Sequence, residues 1–479
     1  MRLFFTLLLG LLTFRTVAQT GIAVPELAHC DAGMQQFMQR WKVLGASVAL
    51  AKDGKLVYER AFGYADVAHS APLQPYHLMR IASVSKTVTA LAIMKLVEAG
   101  KLSLSHKVFG LQGYLTTPAY TQEIHDPRIL AITVQQLLEH TAGWDRNSGC
   151  DGQSTCDPID FPTHVAQEMQ VPNPVGDSTI IRYMLRQGLN YAPGSRFAYS
   201  NVGYLVLGKV IEAVTKQGYE QWVRQQVLRP CGISEARLGH NLPADRIEHE
   251  SEYQSRYSMP SCYNPGQQVP AAYGGYQVEA MNAHGGWLFS ARDLVRLVLA
   301  TDGFPSRPDI ISTATLQIMT QPSAVAPWYA KGWMVDGSSW WHTGQLDGTT
   351  SLVVRTASGY SWAILLNTDN NSSQFWKELK ELGWTWTVST TTWPAQDLFR
   401  PEQNATTLQV CFTDSSYIFI TWSKGTNNHR LLLLKKNSSA TSSPFDGLSY
   451  PISTVLADWK LYSSKQQTQP CISTLLEPL

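Results

Sequence analysis

Charge is scarce in this chain of 479 residues: Asp, Glu, Lys and Arg make up 16% of it, and they balance to +1. A basic nucleic-acid footprint has no material to be built from, so no nucleic-acid partner is expected. Neither Cys-x-x-Cys nor His-Glu-x-x-His spacing occurs, so no metal site and no cofactor are expected. Seven cysteines are too few for a disulfide scaffold in so long a chain. After the run Leu3 to Leu12, no apolar run is long enough to span a bilayer. There is no internal repeat either.

What is present begins with that early run. Met1 and Arg2 precede it, and Thr16-Val17-Ala18 supplies small residues for cleavage, so residues 1–18 read as a secretory signal peptide. A single N-terminal membrane anchor is the alternative. Export implies a secreted protein, extracellular or periplasmic, with no stable membrane span once the signal is cut. The cysteines suit an oxidising compartment, and proximity suggests pairs Cys150 with Cys156, Cys231 with Cys262, and Cys411 with Cys471, leaving Cys30 odd. Asn370, Asn371, Asn404 and Asn437 begin N-x-Ser/Thr sequons.

Apolar spacing places a helix over Pro25 to Lys42, then strands Ala46 to Ala51 and Lys55 to Phe62 joined at Asp53-Gly54, a hairpin signal. From about 76 to 302 the pattern is mainly helical, with long Gly/Pro-containing loops such as Trp144 to Asp160, and loops of that length tend to line sites. Strand character returns at Gly332 to Val335, Ser339 to His342, Thr349 to Arg355 and Tyr360 to Asn367. An amphipathic helix then covers Ser373 to Leu382. The expected class is therefore α/β of the α+β kind: an antiparallel sheet opened early and closed late, flanked by helices, with an all-helical domain inserted. Residues 19–388 form this unit, 389–406 read as a Ser/Thr/Pro/Asn linker, and 407–479 as a small β module without recognisable chemistry.

Three clusters carry chemistry. Ser83 and Lys86 stand three positions apart at the start of a helical pattern, which puts hydroxyl and amine on one face as nucleophile and base. The bland reading is a cap and a solvated lysine. Tyr199 and Asn201 precede the apolar helix Val202 to Lys216, where a phenol, drawn toward phenolate by a nearby ammonium, can relay protons and an amide can orient a substrate. A buried tyrosine and a capping pair would look the same. His342, Thr343, Gly344 and Gln345 end a strand. Gly344 lets a substrate approach the edge, and the Gln345 N–H can join that of Ser83 in an oxyanion hole.

Taken in order, Ser83-x-x-Lys86, Tyr199-x-Asn201 and His342-Thr343-Gly344 resemble the three motifs of the serine β-lactamase and penicillin-binding-protein superfamily, nearest its class C-like, esterase and D-aminopeptidase branch. Leu137 to Gly143, Tyr191 to Gly194 and Gly285 to Ser290 are similar to its supporting text. The resemblance covers about Pro25 to Leu382. It implies a cleft between the sheet and the helical domain, with Ser83 acylated, Lys86 its base, Tyr199 the proton relay, and Asn201 and His342 binding substrate, while His140 stays structural. Histidine stands at 342 where many penicillin-recognising members have lysine, and its reference pKa of about 6.5 leaves it largely neutral. A small ester or a short D-amino-acid peptide is then a better expected substrate than a β-lactam. The alternative is a penicillin- or peptide-binding protein without turnover. Oligomeric state is not legible.

Overall fold

The computed structural model describes residues 18–399 in full, and beyond them the backbone of four strands, Thr407–Thr413, Tyr417–Lys424, Asn427–Lys435 and Cys471–Thr474. Residues 1–17 of the signal-peptide reading, and the sequons at Asn404 and Asn437, lie outside the described residues.

Asp53 and Gly54 take φ of 50° and 80°, the positive values that a two-residue hairpin loop demands, and they join strands Gly45–Lys52 and Lys55–Gly63. Around this hairpin grows an antiparallel sheet of seven strands. Its order is Gln19–Gly21, Lys55–Gly63, Gly45–Lys52, Tyr360–Leu366, Thr349–Arg355, Ser339–Leu346 and Met334–Asp336. The first-formed hairpin thus pairs with strands that arrive about 300 residues later, Val48 opposite Ile364 and Ala49 opposite Ala363.

Strand alternation sorts the side chains onto two covered faces. Val48, Leu50, Trp362 and Ile364 pack against Phe37 and Met38 of helix Ala28–Trp41 and against Phe375, Leu379 and Trp386 of helix Ser373–Ser389. Ala49, Ala51 and Ala363 face the other way, where small side chains admit helix Ala291–Leu299 through Leu294, Val295 and Val298. The C-terminal helix, expected to stop at Leu382, continues to Ser389. Gly383 is its contact point with the sheet: a Cβ there would lie 2.2 Å from the Trp362 ring. Burying that indole contributes about 2–3 kcal/mol.

The inserted region between these strands is built on helix Ser85–Glu98. Apolar spacing from Thr87 points to a stripe of Val88, Leu91, Ala92, Leu96 and Val97. Val97 is only half-buried, while Ala90, Ile93 and Met94 are buried with the other four, so the helix is enclosed around most of its length rather than along one stripe. Helices Asn201–Thr215, Val278–Gly285 and Thr313–Thr320 pack against it. The insertion also contains a three-stranded sheet, Met79–Arg80, Trp287–Phe289 and Arg237–Leu238, and the hairpin Ser258–Pro260 with Gln268–Pro270. Strands of two or three residues are too short to print a period of two in a sequence.

Past the C-terminal helix the chain turns back onto the sheet. The Leu398 N–H donates to the Leu56 carbonyl at 2.7 Å, Asp397 accepts from the Leu56 N–H at 3.0 Å, and Phe399 lies under the guanidinium groups of Arg292, Arg296 and Arg307. Of the cysteine pairings, Cys150–Cys156 is a disulfide. Cys231 and Cys262 are both free, which corrects the expected pair. The first ends a 3-10 turn, Arg229–Cys231, beside helix Ala291–Leu299, while the second is fixed to the Gly274 carbonyl next to the Ser258–Pro260 hairpin. Proximity in sequence had no bearing on either. Cys30 is free as well. Strand register sets Cys411 opposite Cys471. Among the described residues no helix is long and apolar enough to cross a membrane.

Candidate active site

The nucleophile candidate sits on a tight turn. Ala82 has φ 46°, an uncommon value for a residue with a side chain, and from it a 3-10 turn, Ala82–Val84, leads into helix Ser85–Glu98. Neighbours on both sides hold the turn: the Ile81 N–H donates to the Trp287 carbonyl at 3.0 Å, and the Ser351 hydroxyl donates to the Ile81 carbonyl at 2.7 Å. Ser83 is left half-exposed while Lys86, one turn on, is fully buried beneath it.

The Lys86 Nζ lies 3.1 Å from Ser83 Oγ, 2.8 Å from Asn201 Oδ1 and 2.9 Å from the His284 carbonyl oxygen. Burial holds the Lys86 amine well below its ordinary pKa, the Arg146 charge pushes in the same direction, and Asp157 opposes both. Ser200 caps helix Asn201–Thr215 by accepting from the Gly203 N–H. This cap presents the residues on either side of it to Lys86. The Tyr199 ring lies 4.9 Å from the amine, and Tyr199 and Ser83 line the same cleft. The expected pull toward phenolate is not what the site provides. Burial is the largest influence and raises the Tyr199 pKa above its ordinary value, outweighing the Arg146 guanidinium, which pulls it down.

Strand Ser339–Leu346 forms the opposite wall. A Cβ on Gly344 would come within 2.3 Å of the Ile81 carbonyl and 2.9 Å of the Ser83 nitrogen, so the strand meets the nucleophile turn only because this residue is glycine. Leu346 and Thr349 face each other across a two-residue turn, and in an antiparallel ladder this makes them a bonded pair. The Gln345 N–H therefore points away from its partner strand. On that side strand Met334–Asp336 pairs only as far as Trp341, which leaves Gln345 facing the cleft. The Gln345 side chain donates to Asp369 at 3.4 Å and also to Asn371.

His342 is buried, with Nδ1 2.7 Å from the Thr343 carbonyl oxygen and Nε2 3.3 Å from the Tyr329 hydroxyl. The carbonyl can only accept, so Nδ1 carries the proton and Nε2 is the acceptor. Burial and the nearby Lys86 push His342 down to about 3, which agrees with the expectation of a neutral third-motif residue. His140, read as structural, accepts the Ser200 N–H at Nδ1 (3.1 Å), meets the Tyr329 hydroxyl with Nε2 (3.1 Å), and packs at a tilt against the Tyr199 ring with centroids 4.2 Å apart.

All eight site residues expected from the sequence, Ser83, Lys86, Tyr199, Asn201, His342, Thr343, Gly344 and Gln345, meet at one cleft of about 650 Å³. Four contributors carried no signal of their own. Arg146 and Asp157 lie in the loop Trp144 to Asp160, flagged by length alone. His284 acts through its backbone carbonyl, to which sequence is blind, and Tyr329 joins two histidines from a segment without a motif.

Such a cleft, with a helix-borne serine and lysine on one wall, a tyrosine on a second and an exposed strand edge on a third, defines the class of serine β-lactamase-like folds. The model of the Beta-lactamase family matches residues 31–380, and the chain belongs to that family. It is 25% identical over 345 residues to Protein flp of Staphylococcus aureus (strain MRSA252), covering 70% of this chain and 62% of that protein. The chain thus spans under two thirds of the relative's length. Among solved structures, the D-amino acid amidase from Ochrobactrum anthropi SV3 complexed with L-phenylalanine amide superposes with a TM-score of 0.55 at 22% identity, over 75% of this chain and 99% of that one. EstCE1, a hydrolase with promiscuous acyltransferase activity, has a TM-score of 0.55 at 20% identity, over 74% of this chain and 98% of its own. These two likenesses show the fold.

Proposed function

We propose that this protein is an exported serine hydrolase that cleaves a small ester or amide through an acyl-enzyme on Ser83. The observation that carries the reading is the surroundings of Ser83: Lys86 Nζ at 3.1 Å from its Oγ, with the Tyr199 ring 4.9 Å from the same amine. A neutral Lys86 amine has two hydrogens and one lone pair. The Asn201 and His284 oxygens accept the hydrogens, so the lone pair is left to face the Ser83 hydroxyl. Ser83 Oγ then attacks the carbonyl carbon as its proton passes to Lys86, and the resulting ammonium is held by the same two oxygens. The N–H groups of Ser83 and Gln345 receive the oxyanion. Tyr199 hands a proton to the departing alcohol or amine and is reprotonated from Lys86. Water, deprotonated by the same pair, then attacks the ester on Ser83 and releases the acid with Ser83 restored.

Substrate choice follows from the walls. His342 offers no positive charge to a carboxylate, the Arg146 guanidinium on the cleft wall is already paired with Asp157, and Ile159, Met259, Met281, Met334, Leu346 and Trp376 line the cleft with apolar surface. An uncharged ester or the amide of an apolar amino acid fits better than a β-lactam acid. The names of the relatives, an amidase of D-amino acids and a hydrolase with acyltransferase activity, support the same range. Export is supported by the leader pattern of residues 1–18 and by the Cys150–Cys156 disulfide. A fluorophosphonate probe should label the wild type and leave Ser83→Ala unlabelled. Equal labelling of both would remove Ser83 from the chemistry.

A further inference from the structure

Asn201 can support Lys86 only if its carbonyl oxygen, and not its NH2, faces the amine. An amide can be held either way round, so something must fix it. That fixing group is Asp157. Its Oδ2 accepts from Asn201 Nδ2 at 2.6 Å, which forces Oδ1 toward Lys86. Arg146 Nε lies 3.3 Å from the same Asp157 oxygen, and the guanidinium carbon lies 5.9 Å from the Tyr199 ring centre. Asp157 Oδ1 is buried without a protein hydrogen bond, so much of the carboxylate charge acts on its surroundings.

The loop carrying this carboxylate is tied down around it. The Cys150–Cys156 disulfide ends at the residue before Asp157, His164 Nε2 lies 3.1 Å from Asp151, and the Tyr183 hydroxyl donates to Asp151 at 3.2 Å. We propose that Asp157, clamped by Arg146 on this disulfide-closed loop, is a positioning residue that orients Asn201 and sets the charge field in which Lys86 works. The inference rests on the acyl-enzyme reading above.

The other groups around Lys86 leave Arg146 and Asp157 as the two charges acting on it. His140, His284 and His342 are buried and neutral, and Tyr199 and Tyr204 are protonated phenols. Arg146 lowers the Lys86 pKa and Asp157 raises it. Removing the anion should therefore move the acid limb of activity to lower pH, and removing the cation should move it to higher pH. A residue that merely supports the fold would shift neither in a signed way.

The test is the pH profile of kcat/KM for p-nitrophenyl butyrate in the wild type, Asp157→Asn, Arg146→Gln and Ser83→Ala, with circular dichroism on each. Asp157→Asn should lose on the order of 10- to 100-fold in kcat, because a misplaced amide misplaces the base. Its limb should shift downward while that of Arg146→Gln shifts upward. If Asp157→Asn does not fold, the Arg146→Gln limb decides: an upward shift supports the proposal and an unmoved limb overturns it. Limbs unmoved in both variants, with hydrolysis still dependent on Ser83, would overturn this inference alone. Hydrolysis retained in Ser83→Ala would remove the acyl-enzyme reading on which it stands.

Discussion

Lys86 is a base only while its amine is neutral, and an ordinary lysine is not. Its lowered pKa widens the range over which it is neutral, so activity should rise with pH through the depressed value and fall as acid protonates it. A profile flat down to about pH 4, well below the reference pKa of a lysine, would count against Lys86 as the base. His342 already lies at about 3, neutral throughout that range, so His342→Gln should leave the acid limb in place. Tyr199→Phe keeps the ring that packs against His140 and removes only the hydroxyl. It should slow turnover by roughly 10²- to 10⁴-fold, read as kcat on an ester with a poor leaving group. At this scale the sequence was legible wherever a side-chain type announced its chemistry, as at Ser83, Lys86, Tyr199 and His342. It was silent on Asp157, an ordinary aspartate whose meaning depends on Asn201 arriving from 44 positions away, and on a backbone carbonyl such as that of His284.

Two glycines decide how elements meet. At Gly344 the edge strand touches the nucleophile turn, where an added methyl would collide with backbone atoms that cannot give way. Gly344→Ala should therefore push the strand off the turn, separate Gln345 from Ser83, and abolish fluorophosphonate labelling in a protein that still folds. Gly383 sets the C-terminal helix against Trp362, far in sequence from any proposed site residue. Gly383→Ala should destabilise by about 1–3 kcal/mol through overpacking, read by denaturant titration, with kcat/KM close to the wild type. Period and turn chemistry made the main strands legible, because Asp53-Gly54 and the alternation of Val48 and Leu50 with Ala49 and Ala51 are local signals. Helix Ser85–Glu98 showed only part of its buried surface, since a helix enclosed around most of its length has little polar face to set its phase. The short strands Met79–Arg80 and Trp287–Phe289 exist through pairing with each other and leave no pattern.

The whole molecule closes by bringing late strands back to an early hairpin, and residues 397–399 extend that closure. Asp397 accepts from both the Leu56 N–H and Arg307, and Leu398 accepts from Arg292. A chain ending at Ser389 should melt lower than one ending at Phe399, by roughly 2–4 °C for each kcal/mol of packing lost. The discontinuous layout was legible because strand signals stop near residue 62 and resume near 332, while the docking of Asp397 to Phe399 hides in a polar stretch that composition marks as a linker. All of this architecture serves one proposed event, the transfer of an acyl group to the serine at position 83. Acid-quenching the enzyme during turnover of p-nitrophenyl butyrate and weighing the intact protein tests that event most directly. One butyryl group per chain, mapped to the peptide containing Ser83 and absent from Ser83→Ala, is the predicted result; an adduct on another residue, or undiminished hydrolysis by Ser83→Ala, would contradict it.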